Sequence, residues 1–242
     1  MKSAAGGMAL PPKVWRAVVV ICLAIAFAGA GSARGSSKTS IPLPPPRPPA
    51  AALVSAAPAS LHCGETAGSG AVVGDMQPPV AAREGCGIAA PILLRAISLR
   101  SGGQVAVAPP ALLSCPFAEA LAQWLRDDVA AAMLGDAGQL ASIETAGAYD
   151  CRSRNRVTDG RLSEHATGNA LDISAFVTDR AQRFEIARQA AAPGFFQSLK
   201  QSACQRFMTV LGPGSDGFHE THVHLDLQAR ANGSHVCQWT IN

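Results

Sequence analysis

Four of the six histidines in the chain fall in two short stretches of its C-terminal half. The first is Ser163-Glu164-His165-Ala166-Thr167-Gly168-Asn169-Ala170-Leu171-Asp172, and the second is His219-Glu220-Thr221-His222-Val223-His224-Leu225-Asp226. Imidazoles and carboxylates are the donors used by metal sites and by proton-transfer chemistry. Side chains alternate between the two faces of a strand. If residues 221 to 228 form a strand, His222, His224 and Asp226 share one face, while Val223, Leu225 and Leu227 share the other. In the first stretch Ala170, Asp172 and Ser174 share a face, and Leu171 and Ile173 point inward. Each stretch then presents a ligand-type side chain from an edge anchored by aliphatic packing.

Catalytic zinc takes three protein ligands and leaves a position for water, whose pKa it lowers towards neutrality. His165, Asp172 and His224 make such a set. His222 is a candidate to take or return a proton, and Glu220 competes for that role. Any one histidine alone is more simply a polar surface residue. Their concentration in two compact clusters is what points to a Zn2+ site.

The pattern Ser163-x-His165-x-x-Gly168-x-Ala170-x-Asp172 resembles the first metal motif of the D-Ala-D-Ala carboxypeptidase and murein endopeptidase group of zinc peptidases, the LAS-type enzymes. The pair His222-x-His224 resembles their second motif, and His219 resembles a further histidine of the endopeptidase branch. From about Cys86 to Cys237 the chain is similar to the bacterial extensin-like C-terminal family. Cys86-Gly87-Ile88, Cys115-Pro116, Tyr149-Asp150-Cys151-Arg152, Leu162-Ser163-Glu164-His165, Ala203-Cys204, Leu211-Gly212-Pro213 and His222-Val223-His224-Leu225-Asp226 carry that likeness. The resemblance implies that His165, Asp172 and His224 hold the metal. It makes His222 the base or oxyanion partner, with His219 helping to stabilise charge. Arg152 would hold a substrate carbonyl or carboxylate, a role suited to its planar fork of donors; the alternative is a solvated loop arginine beside Arg154 and Arg156. Ser163 is a further candidate at the substrate, or it orients a ligand or holds the turn. Many carboxypeptidases of the group place a glutamate three residues before the metal histidine, where this chain has Thr221, so the endopeptidase-like arrangement is favoured.

These residues need a scaffold. Ser114-Cys115-Pro116-Phe117 reads as a helix start, and Phe117, Leu121, Leu125 and Val129 recur every four residues. The pattern predicts a helix over 116 to 134, with Gly135 as its stop. Ile88 to Ile97 is a less regular element because Pro91 interrupts it. Ile143 to Tyr149 and Phe207 to Leu211 are predicted strands, about 195 to 206 a helix, and Gly212-Pro213-Gly214 a turn delivering the chain to His219. Gly168 meets a backbone or close-approach requirement near the metal. The expected fold is a single α+β domain, residues 61–242, in which a small antiparallel sheet carries the zinc site between flanking helices.

Residues 1 to 34 hold Lys2, Lys13, Arg16 and Arg34 and no acid, around an uncharged run of 17 residues. This describes a secretory signal peptide, or a signal anchor that would tie the protein to the inner membrane. Residues 35–60 are a Pro/Ala-rich linker of extended geometry. Export places Cys63, Cys86, Cys115, Cys151, Cys204 and Cys237 where disulfides persist. Sequence leaves fifteen pairings open; Cys151 with Cys204 is the first guess beside the site. Without residues 1 to 34 the chain has 16 basic and 17 acidic residues, a net of −1, which is no footprint for nucleic acid.

The first expectation is therefore a periplasmic or secreted, monomeric zinc peptidase acting on peptidoglycan peptides, a substrate class that comes from the resemblance alone. A wall-binding or scaffolding module without hydrolysis is the alternative. A closed structural metal site that includes His222 is a third.

Overall fold

Nine strands gather around the aliphatic runs of the chain, in a computed structural model that describes Cys63 and residues 71–82, 85–133 and 137–242. The leader, the linker, His62 and the expected helix stop at Gly135 lie outside the described residues. In chain order the strands are β1 (Val72–Met76), β2 (Val80–Ala81), β3 (Gly87–Ile88), β4 (Pro91–Ser98) and β5 (Gln104–Ser114). Helix α1 (Cys115–Trp124), a π-turn (Leu125–Val129) and the short α2 (Ala130–Ala132) follow without a break. Then come β6 (Leu140–Gly147), β7 (Ala170–Thr178), β8 (Arg183–Glu185), α3 (Pro193–Arg206), β9 (Thr209–Leu211), β10 (Val223–Asp226) and β11 (Val236–Gln238).

The main sheet runs β1-β4-β5-β6-β7-β10-β9-β11, with β8 added on β7; β2 and β3 form a separate pair. This corrects the expected small antiparallel sheet. The sheet is large, and it is mixed, because β5 pairs β6 in parallel and β9 pairs β11 in parallel. The first parallel pair follows from the helix between β5 and β6, a crossover that returns the chain to the same end of the sheet. Pro91 does not interrupt a strand. It is the first residue of β4, where a missing N–H costs little. Pro109 and Pro110 fall between the β5 segments that pair with β4 and β6, so no ladder hydrogen bond is lost there either.

Phe117, Leu121, Leu125 and Val129 are all fully buried. In an unbroken α-helix a strict spacing of four would swing this stripe by about 40° per step. The wider π-turn at Leu125–Val129 takes up the extra residue and keeps the stripe on the core. Helix α3 buries Phe196, Leu199 and Ala203, which lie three, then four residues apart. Between the helices and the sheet, Trp124 meets Phe176 and Phe207 edge-on, with ring centroids 6.0 and 5.6 Å apart, and its indole N–H donates to Ser202 Oγ at 2.9 Å. Leu171, Ile173, Val223 and Leu225 fill this same core. By alternation Asp172, His224 and Asp226 point to the opposite face of the sheet.

Three disulfides close the domain: Cys63–Cys115, Cys86–Cys151 and Cys204–Cys237. The Cys151–Cys204 pairing suggested beside the site does not form. Cys204 lies on α3, on the core side of the sheet, and ties that helix to β11, whereas Cys151 lies on the site side. Among the described residues no helix is long and apolar enough to cross a membrane.

Candidate metal centre

The centre is laid out by strand register. Gly147 of β6 stands opposite Asp172 of β7, and Asp172 opposite His224 of β10, in one row across three strands. His165 comes from a 3-10 turn (Glu164–Thr167) that packs against β7. Ser163 starts this turn, its Oγ accepting the backbone N–H of His165 at 3.4 Å. Gly168 ends it in the left-handed region at φ 66°, with a Cβ position that would lie 2.8 Å from Ser114 N and against Ile88. Gly147 meets a second close approach, since a Cβ there would lie 2.6 Å from Asp172 Oδ2.

His165, Asp172 and His224 are buried, and their donor atoms lie within 4.8 Å of one another. Nδ1–H of His165 donates to the Ala148 carbonyl at 2.7 Å, which turns the Nε2 lone pair towards the cluster. His165 Nε2 lies 3.1 Å from His224 Nδ1 and 3.2 Å from Asp172 Oδ2. His224 Nδ1 is 2.9 Å from Asp172 Oδ1, and its Nε2–H donates to Asp226 Oδ2 at 3.1 Å. Asp226 is held in turn by the backbone N–H of Gln228 at 2.9 Å and by Thr209, which also accepts from Arg230 at 2.7 Å. A histidine whose second nitrogen is fixed by a carboxylate or a carbonyl is the usual supporting arrangement of a metal ligand.

Charges are strongly coupled here. Burial alone would lower the pKa of His224, but hydrogen bonds to Asp172 and Asp226 outweigh it and raise it to about 9. Burial of Asp172 would raise its pKa; the imidazoles of His165 and His224 beside it instead hold it well below the carboxylate range. In the metal-free protein the His224 Nδ1 proton therefore bridges the donor atoms. A cation taken up between them must displace it. Two imidazole nitrogens and one carboxylate, convergent and pre-oriented, are a donor set suited to zinc.

The cluster forms the floor of a cleft of about 440 Å³. His219 and His222 line it, as do Arg152, Ser163 and Glu164. His222 Nε2 lies 3.8 Å from Asp172 Oδ2, and burial pushes its imidazole below the ordinary 6.5, so it is neutral at neutral pH. It precedes β10 rather than belonging to it, yet it reaches the same cleft. His219 is fixed by Asp216, with Nδ1 2.6 Å from Oδ1. The structure does not bring Glu220 to the group. Its carboxylate is exposed and accepts the backbone N–H of Gly214 at 3.0 Å. Asp216, Gly147 and Arg154 lie at the site and carry no role in the sequence reading, which places Asp226 on the face of His222 and His224 without giving it one. Asp226 had a signal, its place two residues beyond His224 on the same strand face, and a glycine inside a strand, as at 147, is itself a sign of close approach.

An α+β domain with one mixed sheet, the His165–Asp172–His224 cluster on the face away from the helices, and three disulfides defines the class of the protein. Residues 61–238 match the family described as extensin-like protein C-terminus, and the chain belongs to that family. No curated protein and no solved structure shows a significant match.

Proposed function

We propose that the protein is an exported zinc peptidase that hydrolyses peptide bonds in peptidoglycan stem or cross-link peptides. The observation that carries this reading is the convergence of His165 Nε2, Asp172 and His224 Nδ1 at the floor of an open cleft that also presents two further histidines. The likeness of the two motifs to those of the LAS-type zinc peptidases supports it and supplies the substrate class. The leader-like first 34 residues and the three disulfides support an oxidising compartment such as the periplasm.

His165, Asp172 and His224 would hold the metal. Bound there, zinc supplies Lewis acidity for a scissile carbonyl and acidifies water. His222, neutral and half-buried in the cleft, accepts a proton on Nε2 during attack and returns it to the leaving amine. His219, locked by Asp216 with its ring 5.1 Å from that of His222, is placed to offset charge as it develops. Arg152 at the cleft wall helps to orient the substrate.

The test is a digest of cross-linked peptidoglycan by the disulfide-intact, zinc-loaded protein, with products identified by mass spectrometry. Defined peptides or free D-alanine are expected, and both are lost on chelation and in His224→Ala. A flat digest from folded, zinc-loaded protein overturns the reading and leaves the wall-binding module. Zinc retained at full stoichiometry by His165→Ala or Asp172→Ala overturns the ligand assignment.

A further inference from the structure

Two stretches of irregular chain wall the cleft, and one carboxylate ties them together. The first is the loop that carries His219 and His222. Between Leu211 and Val223 it has neither helix nor strand, Gly214 and Gly217 sit at φ 78° and 79°, and Phe218 is exposed. Asp216 organises this loop. Its Oδ1 accepts the Phe218 backbone N–H at 3.0 Å, the Ser215 hydroxyl at 3.3 Å and Nδ1–H of His219 at 2.6 Å. A carboxylate held only by its own loop moves with that loop. Asp216 has one further partner, and it comes from the other wall: the side-chain amide of Asn155 donates to it.

The backbone places Asn155 for this contact. It sits at φ 50°, ψ 21°, in the left-handed region, where asparagine is among the few residues other than glycine found routinely. Arg156 and Asp159 follow at φ 57° and 55°. The loop they belong to is fixed at its base. Ser153 bridges Leu162, the Arg154 N–H donates to the Arg161 carbonyl at 2.9 Å, the Ser163 N–H donates to the Arg152 carbonyl at 3.0 Å, and Cys151 is bonded to Cys86. From this base the chain runs directly into the turn that carries His165. Asn155 therefore gives Asp216 an anchor outside its own loop, and that anchor is tied to the metal centre.

We propose that Asn155 is a positioning residue: through Asp216 it fixes the ring of His219, and the loop that also carries His222, relative to the metal centre. Asn155 acts on the chemistry only by way of that carboxylate. The consequence for turnover rests on the peptidase reading; the coupling between the two walls does not.

The test compares the disulfide-intact, zinc-loaded protein with Asn155→Gly, which keeps the left-handed backbone without steric cost and removes the amide. Asp159→Gly makes the same backbone change in the same loop and is the control. Nitrogen-15-edited NMR follows exchange with water of the His219 Nδ1 proton and of the Phe218 amide. Both are expected to exchange about tenfold faster in Asn155→Gly, the lower end for loss of a hydrogen bond to a charged group, and at the wild-type rate in Asp159→Gly. Zinc affinity stays at the wild-type value. On a soluble cross-linked peptide released from peptidoglycan, kcat falls by the same order while KM is unchanged. Asp216→Ala is expected to give at least as large an effect, and adding Asn155→Gly to it changes nothing more, because the two residues act in series. Unchanged exchange in Asn155→Gly, additive effects in the double variant, a matching fall in zinc affinity, or a loss confined to KM overturns the proposal. If wild type hydrolyses nothing, the exchange rates and the double variant still decide it, and that failure counts against the peptidase reading alone.

Discussion

Asp226→Asn changes one atom and should reverse the working face of His224, a proposed metal ligand. Asp226 offers two acceptors: Oδ1 takes the Gln228 backbone N–H at 2.9 Å and Oδ2 takes His224 Nε2–H at 3.1 Å. Asparagine has one acceptor. The Gln228 N–H is fixed by the main chain, and leaving it unpaired in this buried position would cost about 1–3 kcal/mol. The amide oxygen therefore stays with Gln228, and the amide nitrogen faces His224 Nε2. That nitrogen must then be the acceptor, so the imidazole gives up its Nε2 proton and keeps the one on Nδ1, the atom directed at His165 and Asp172. A metal must displace that proton against the preferred tautomer. Loss of a supporting partner of this kind typically lowers metal affinity about 10- to 100-fold, or roughly 1.4–2.7 kcal/mol at 1.4 kcal/mol per decade. Competition with a chromophoric chelator measures the affinity, and nitrogen-15 shifts of His224 report the tautomer. Wild-type zinc affinity in folded Asp226→Asn, with Nε2 still protonated, would refute the reasoning.

Gly147→Ala places a Cβ 2.6 Å from Asp172 Oδ2 in a strand whose backbone accepts alanine. Zinc affinity should fall about tenfold or more while the circular dichroism spectrum stays native; unchanged affinity would show that the carboxylate has room to spare. Trp124→Ala removes a fully buried indole between α1, α3 and the sheet and should cost about 3–5 kcal/mol in denaturant unfolding. Hydrogen bonds from Arg100 and Arg183 hold the carboxyls of Asp127 and Glu144 below their ordinary values of 3.8 and 4.5. Because these folded-state values are lowered, the stability they confer is complete above the ordinary values and is lost as pH falls through the lowered ones. The unfolding temperature should therefore drop as the pH is taken from about 5 to about 2; a flat or rising profile would contradict this.

The centre was more legible in the sequence than the sheet that carries it. His165, Asp172 and His224 were readable because a polar side chain alternating with aliphatics, as in Val223-His224-Leu225-Asp226, needs a reason to be there. The helix from Cys115 was readable from its apolar stripe, although the spacing of four concealed a π-turn. The sheet was underestimated because Pro91, Pro109 and Pro110 masked β4 and β5, and because short strands such as β8 and β11 have too few residues to show a period. Disulfide pairing depended on which side of the sheet each cysteine occupies, information that arises only when distant strands meet. Glu220 lost its place for a similar reason, since its partner is a backbone N–H in the turn before it.

The row Gly147–Asp172–His224 makes the centre intolerant of one kind of change and indifferent to another. Inserting or deleting a single residue within β7 or β10 turns Asp172 or His224 to the hydrophobic side and a valine or leucine to the cleft, because strand faces alternate. Insertions between Asp226 and Val236 leave the row untouched. Length variation should therefore accumulate in the loops and be excluded from these two strands to the residue. The centre also exists only once β6, β7 and β10 have paired in register, so metal uptake during refolding would serve as a clock for completion of the middle of the sheet.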